Sequence, residues 1–153
     1  MSVTHAHFTI ERSYPWTPAQ TFSAFADPRL KRQWFGRPEG APDASWELDF
    51  RIGGEELNTG PGPGGVPVVF RSRYHDIVPD ERIVYAYDLE LDGRLVSVSL
   101  ATIQLHADGG GTRLVFTEHG AFLDGLDDPA AREHGTGKLV EAMERVLRAE
   151  LGA

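Results

Sequence analysis

The sequence contains no cysteine. Without thiols it can form no disulfide framework, no thiolate nucleophile and no cysteine-bound zinc site. No stretch approaches the about 18 consecutive apolar residues that a transmembrane helix needs, and the N-terminus lacks the basic and apolar regions of a signal peptide. We therefore expect a protein without a membrane span, located in the cytoplasm.

Basic residues are few: 15 Lys and Arg stand against 23 Asp and Glu, for a net charge of −8. Binding to nucleic acid depends on clustered positive charge, so the composition excludes nucleic acid as the main partner. The 153 residues, of which 41% are hydrophobic, suffice for one domain with its own core. We predict a single domain over residues 1–153.

Alternation of polar and apolar residues predicts six antiparallel strands, over residues 5–14, 45–51, 66–77, 82–91, 95–106 and 112–120. Between them, the Gly- and Pro-rich residues 58–65 predict a flexible hairpin tip. In the fifth strand the apolar phase changes, because Val96 and Val98 alternate in one register and Ile103 and Leu105 in the other. This change predicts a bulge or bend near Leu100 that curves the sheet.

Three helices are predicted from their start signals. Thr17 and Asp27 each precede a proline, which predicts two short helices directly after the first strand. Asp127 or Asp128 opens a long C-terminal helix with an apolar stripe of Leu139, Val140, Met143, Val146, Leu147 and Leu151. Since a sheet must bury one face, we predict an α+β fold in which a curved six-stranded antiparallel sheet surrounds this helix.

Several segments resemble those of a known superfamily: residues 8–12, 18–25, 27–35, 49–54, 74–85, 111–114 and 133–135. In this order they resemble the START-like (SRPBCC) helix-grip superfamily, in the branch named after the activator of the heat-shock-protein ATPase. The resemblance implies an apolar cavity between sheet and helix. One position departs from the pattern: Thr136 follows Gly135 where relatives often have tryptophan, so no aromatic lid is implied there and the mouth is expected to be more open or more polar.

A set of large side chains is predicted to line this cavity: Trp34, Phe35, Trp46, Phe50, Phe70, Tyr74, Tyr85, Tyr87, Phe116, Phe122, Val140 and Met143. Ligand pockets are mostly apolar and contain few polar groups, but aromatic residues also fill ordinary cores. Glu118 shares a strand face with Leu114 and Phe116. It is the one candidate for a catalytic acid or base, or for a hydrogen-bond anchor to a ligand; the alternative is an exposed carboxylate at the strand end.

Other chemical signatures are missing. His5 and His7 share a strand face, but no third ligand is evident, so we predict no metal site. The glycines of residues 60–65 lack the Lys-Ser or Lys-Thr of a phosphate loop, and no serine stands in a nucleophile-elbow sequence. We predict no cofactor and no catalytic residue beyond the candidate Glu118.

These features favour binding of a small hydrophobic or amphipathic molecule, such as a lipid, by a carrier or sensor. The resemblance leaves two alternatives open: an enzyme similar to cyclases, dehydratases or hydrolases acting on an aromatic or polyketide-like substrate, and an interaction protein similar to the chaperone-ATPase activators. A homodimer formed through the sheet edges and a monomer are both compatible with the sequence.

Overall fold

The computed structural model describes residues 1–152. One sheet contains seven strands, β1 Val3–Tyr14, β2 Ser45–Leu48, β3 Glu55–Pro61, β4 Pro67–Val78, β5 Arg82–Leu91, β6 Arg94–Asp108 and β7 Gly111–Leu123. Their spatial order is β1-β7-β6-β5-β4-β3-β2, and all neighbours are antiparallel. The helices are α1 Pro18–Ala26, α2 Pro28–Trp34 and α3 Pro129–Leu151, with a short 3-10 turn at Pro63–Gly65.

The α+β helix-grip class is confirmed, but the sheet has one strand more than the six predicted. The additional strand is β3, which occupies part of the segment expected to be a hairpin tip. Its buried positions are Glu56, Asn58 and Gly60. Because the inward face of β3 is polar or lacks a side chain, hydrophobic alternation does not reveal it.

The predicted bulge near Leu100 is wrong. Leu89 on β5 pairs with Ser97 on β6, whereas Glu90 pairs with Leu95, so the unmatched residue is Val96. Val98 and Leu100 are 42% and 46% exposed on the outer face. The phase change therefore occurs four residues earlier, and the apolar pair that suggested the later position faces outward.

The helix starts follow the predicted capping signals. Thr17 and Gln20 form a capping box at α1, and the Asp27 carboxylate accepts a hydrogen bond from the Arg29 amide at the start of α2. Asp128 caps α3 through the Ala130 amide. None of the helices within residues 1–152 is both long enough and apolar enough to cross a bilayer.

Helix α3 lies against the concave side of the sheet. Its buried residues are Thr136, Val140, Met143 and Leu147, and the last three belong to a core shared with side chains such as Ile83, Ile103 and Phe116. Leu151, predicted to be in the stripe, is 39% exposed, because the final turn extends beyond the core. The N-terminal half of α3 adjoins open space instead of packed side chains.

Candidate ligand-binding cavity

A cavity of about 800 Å³ lies between the sheet and helices α2 and α3. Inward-facing residues of β4 and β5 form its floor, and residues 131–143 of α3 contribute the opposite side. All but two of the residues predicted to contact a ligand line it, namely Trp34, Phe35, Phe50, Phe70, Tyr74, Tyr85, Tyr87, Phe116, Glu118, Val140 and Met143. Strand alternation predicted the inward face of those that lie on strands, and the helical stripe of α3 predicted Val140 and Met143.

Trp46 and Phe122 do not line this cavity. The Trp46 indole Nε1 donates a hydrogen bond to Glu56 Oε2 over 2.9 Å, and its ring packs under the Arg32 guanidinium. Phe122 lines a smaller neighbouring pocket of about 210 Å³. Alternation predicted the face of Trp46, whereas Phe122 lies beyond the predicted strand end at residue 120. The distance of either side chain from the cavity depends on the curvature of the sheet.

The aromatic rings form a connected wall. Tyr85 lies between Tyr74 and Tyr87, with centroid distances of 5.9 and 6.1 Å. Phe70 packs 4.7 Å from Tyr87, and Phe35 packs 4.8 Å from Phe70. Tyr85 retains accessible surface although it lies deep in the molecule, because that surface faces the cavity. Flat apolar surface is therefore available to a molecule in the cavity.

The first polar group on the wall, here named the Glu118 cluster, consists of Tyr87, Ser97, Glu118, Asp127 and Arg132. Tyr87 Oη donates to Glu118 Oε2 over 2.9 Å. Arg132 Nη1 donates to Tyr87 Oη over 2.9 Å, and Arg132 Nη2 donates to Ser97 Oγ over 2.8 Å and to Asp127 Oδ2 over 2.6 Å. Glu118 is 3% exposed, so it is not the exposed strand-end carboxylate considered as the alternative.

Burial sets the protonation of this cluster. It raises the pKa of Glu118, although the hydrogen bond from Tyr87 and the charge of Arg132 act in the opposite direction. Burial and the nearby Glu118 carboxylate raise the pKa of Tyr87. Burial would lower the pKa of Arg132, but Tyr87 and Asp127 raise it overall. The cluster therefore contains a permanent cation beside a carboxyl group that takes up a proton more readily than usual.

The second polar group, here named the Glu56 cluster, consists of Lys31, Trp46, Glu56 and Tyr74. Lys31 Nζ donates to Glu56 Oε1 over 3.0 Å, and Tyr74 Oη donates to the same oxygen over 3.1 Å. Burial, together with the Glu56 charge, raises the pKa of Tyr74. Lys31 also lies 5.0 Å from the Trp34 ring centroid. This buried lysine is paired with a carboxylate and surrounded by aromatic rings.

Arg37 and Asn58 border the cavity between α2 and β3. Arg37 Nε donates to Asn58 Oδ1 over 2.7 Å and Nη1 donates to the Pro61 carbonyl over 3.2 Å. Asn58 Nδ2 donates to the Phe35 carbonyl. These contacts join the loop after α2 to strand β3.

Sequence reasoning missed several polar residues of the lining, including Lys31, Arg37, Glu56 and Arg132. Arg132 lies one helical turn before Thr136, on the stripe that continues to Val140 and Met143. The helical period could therefore have predicted that Arg132 faces the cavity. Lys31 and Glu56 carried no such signal, since each is buried through contact with the other.

The histidines lie away from the cavity. His7 and His119 stack on the outer face of the sheet with ring centroids 5.4 Å apart. Over residues 1–152 no three His, Asp or Glu side chains are grouped so that they could hold a metal ion.

Comparison with known proteins agrees with this architecture. The family described as "Activator of Hsp90 ATPase homolog 1-like protein" matches residues 15–151. A solved protein from Rhizobium loti is 43% identical with a TM-score of 0.89, over 95% of this chain and 99% of that one. A protein from Rhizobium leguminosarum is 39% identical with a TM-score of 0.89, over 97% of each chain.

More distant structures share the fold alone. A protein from the dynemicin biosynthetic locus is 17% identical with a TM-score of 0.68, over 95% of this chain and 48% of that one. No curated protein sequence matches the chain. The family match, the relatives from Rhizobium and the helix-grip architecture together establish that this chain belongs to the Activator of Hsp90 ATPase homolog 1-like family of the START-like (SRPBCC) superfamily.

Proposed function

We propose that this protein binds a small hydrophobic or amphipathic molecule between the sheet and α3, as a carrier or sensor. The observation that carries the proposal is the cavity of about 800 Å³ with a continuous aromatic wall. Its volume lies within the range of about 300–1,000 Å³ typical of small-molecule sites, and its lining combines many apolar groups with a few polar ones.

A large aromatic-lined space is unfavourable when it is empty. Its lining forfeits the contacts that a packed core would provide, and water gains few hydrogen bonds against aromatic rings. The two polar clusters could orient a bound molecule, since Glu56 and Glu118 reach the lining from opposite parts of the sheet. A ligand would replace the missing packing contacts without any change of fold.

The test is thermal unfolding of the protein with a panel of lipids, aromatic compounds and polyketide-like compounds. A molecule that binds the folded state at about 100 times its Kd stabilises it by about 2.7 kcal/mol, which is a readily measured rise in Tm. An unchanged Tm across the whole panel, with each compound soluble at high concentration, would contradict the proposal.

Enzymatic turnover is a second candidate, favoured by the raised pKa of Glu118 in the wall of a ligand-sized cavity. A carboxyl group that takes up a proton more readily than usual can donate that proton to a substrate and recover it later. Tyr74, Tyr85 or Tyr87 would orient that substrate. If a panel compound is converted, Glu118→Gln should abolish conversion while the compound still raises the Tm; unchanged turnover would remove this role.

The activator in the family's name is another protein, and a chaperone-directed role for this chain follows only from that family name. The predicted interaction role would require a chaperone as partner. A pull-down with purified Hsp90 would test it independently of ligand binding.

A further inference from the structure

The charged residues of the lining are almost all paired with one another. They are Lys31, Arg37, Glu56, Glu118, Asp127 and Arg132. Lys31 pairs with Glu56 at 3.0 Å, and Arg132 pairs with Asp127 at 2.6 Å and lies 4.0 Å from Glu118. Arg37 differs from the others, because it forms no ion pair with any residue in the range 1–152. The lining therefore contains one cation whose charge no carboxylate neutralises.

Neutral groups hold this cation in place. The Asn58 side-chain oxygen and the Pro61 carbonyl accept hydrogen bonds from Arg37 Nε and Nη1. Gly60 allows the guanidinium to lie close to β3, since a Cβ added there would come within 2.9 Å of Arg37 Cζ. Nη2 takes part in neither of these hydrogen bonds. These neutral partners hold the guanidinium in one position but do not neutralise its charge. Because the side chain is already ordered, binding an anion costs less conformational entropy.

The location of Arg37 defines where an anion would lie. Gly36, Pro38, Gly62 and Pro63 border the cavity beside it, so this border consists largely of backbone and small side chains. Strands β3 and β7 are four positions apart in the sheet, about 19 Å along it at about 4.8 Å per strand. Arg37 and Glu118 therefore occupy opposite sides, with the Tyr74, Tyr85 and Tyr87 wall between them.

We propose that the ligand is an amphipathic organic anion whose single carboxylate, sulfonate or phosphate group binds Arg37, while its apolar body lies along the tyrosine wall. This inference rests on the proposed function. A hydrogen bond from a partly buried guanidinium to an anion is stronger than one between neutral groups. The net charge of −8 disfavours anions overall, but the unneutralised guanidinium attracts an anion locally at the cavity border.

The test uses two fluorescent probes with the same aromatic body. 1-Anilinonaphthalene-8-sulfonate is anionic, whereas N-phenyl-1-naphthylamine lacks the sulfonate. Arg37→Gln should weaken binding of the sulfonate by about tenfold, the size expected for a lost charge-assisted hydrogen bond, and change the affinity of the uncharged probe by less than about twofold. Arg37→Lys, which keeps the charge, should recover part of the affinity for the sulfonate.

Arg73→Gln is the matched control. Arg73 is an exposed β4 residue outside the lining, so its loss changes net charge equally and should alter neither affinity. Equal weakening of both probes in Arg37→Gln, or no weakening of either, would overturn this inference while leaving the cavity's binding function intact. Failure of both probes to bind the wild-type protein would instead count against the proposed function, and this inference would fall with it.

Discussion

Glu118 illustrates what a single residue adds to this cavity. The strand period placed it on the inward face, but burial to 3% exposure depends on Tyr87 and Arg132, which come from β5 and α3. Such long-range partners leave no periodic signal in the sequence. The sequence could therefore identify Glu118 as a candidate, and only the structure provides the contacts that govern its ionisation.

Replacing Glu118 with glutamine should change how stability depends on pH. The folded-state pKa of Glu118 lies above its ordinary 4.5, so folding favours the protonated form. The wild-type protein should lose stability as pH rises from about 4.5 through that raised pKa, by about 1.4 kcal/mol for each unit of the rise. Glu118→Gln resembles the protonated form, so its stability relative to wild type should increase with pH.

Urea unfolding of both proteins between pH 4 and 8 would measure this difference. Glu47→Gln is a suitable control, because Glu47 is an exposed carboxylate on β2 and its loss should shift the curve little. If the wild-type and Glu118→Gln curves run parallel across this range, the carboxyl group is not perturbed as described.

Among the elements, β3 is the strand that hydrophobic alternation did not predict. Its buried positions Glu56, Asn58 and Gly60 have none of the apolar character that periodicity detects. Glu56 is satisfied by Lys31 and Asn58 by Arg37, both from the segment around α2. The strand that sequence reasoning missed is thus the one that carries Glu56, the carboxylate that Lys31, Trp46 and Tyr74 all contact.

Helix α3 contains two glycines where packing does not require them. Gly135 and Gly137 lie inside the helix, and an added Cβ at either position would have no heavy atom within 4 Å. Gly135→Ala and Gly137→Ala should therefore each raise the free energy of unfolding by roughly 0.5–1 kcal/mol, since glycine loses more backbone entropy in a helix.

Urea unfolding of each variant checks this expectation, and Gly36→Ala supplies the contrast. At Gly36 an added Cβ would lie 2.7 Å from the Arg32 Cα, so that variant should be destabilised. A loss of stability at either helix glycine would contradict the open space around the start of α3.

For the whole molecule, alternation and capping predicted the class of fold, and the family resemblance implied the cavity. The size of that cavity depends on how far the sheet curves. The ion pairs in its lining depend on which elements the curved sheet brings together. No local sequence pattern encodes either property. This is why Trp46 and Phe122 were assigned to the lining but lie outside it.

The homodimer stays a prediction. The sheet is open, with β1 and β2 as its edges, and sedimentation velocity at several concentrations would detect self-association.

The last prediction concerns the cavity as the shared product of sheet and helix. Gly135 lines it, whereas Gly137 does not. Gly135→Phe should place a ring in the space beside α3 and lower the affinity for any cavity ligand at least about tenfold, because the ring and the ligand compete for the same volume. Gly137→Phe makes the same chemical change on the same helix and should keep affinity within about twofold.

Titration of both variants with a compound that stabilises the wild-type protein would measure the difference, with unfolding curves to check that each is folded. The neighbouring Thr136 is buried at 7% exposure, at the position where the family resemblance led us to expect a tryptophan. The new ring would therefore supply, one residue earlier, aromatic bulk that this chain lacks at the helix entry. Equal affinities in the two variants would mean that the ligand binds elsewhere, because a phenyl ring inside this cavity would clash with any molecule that fills it.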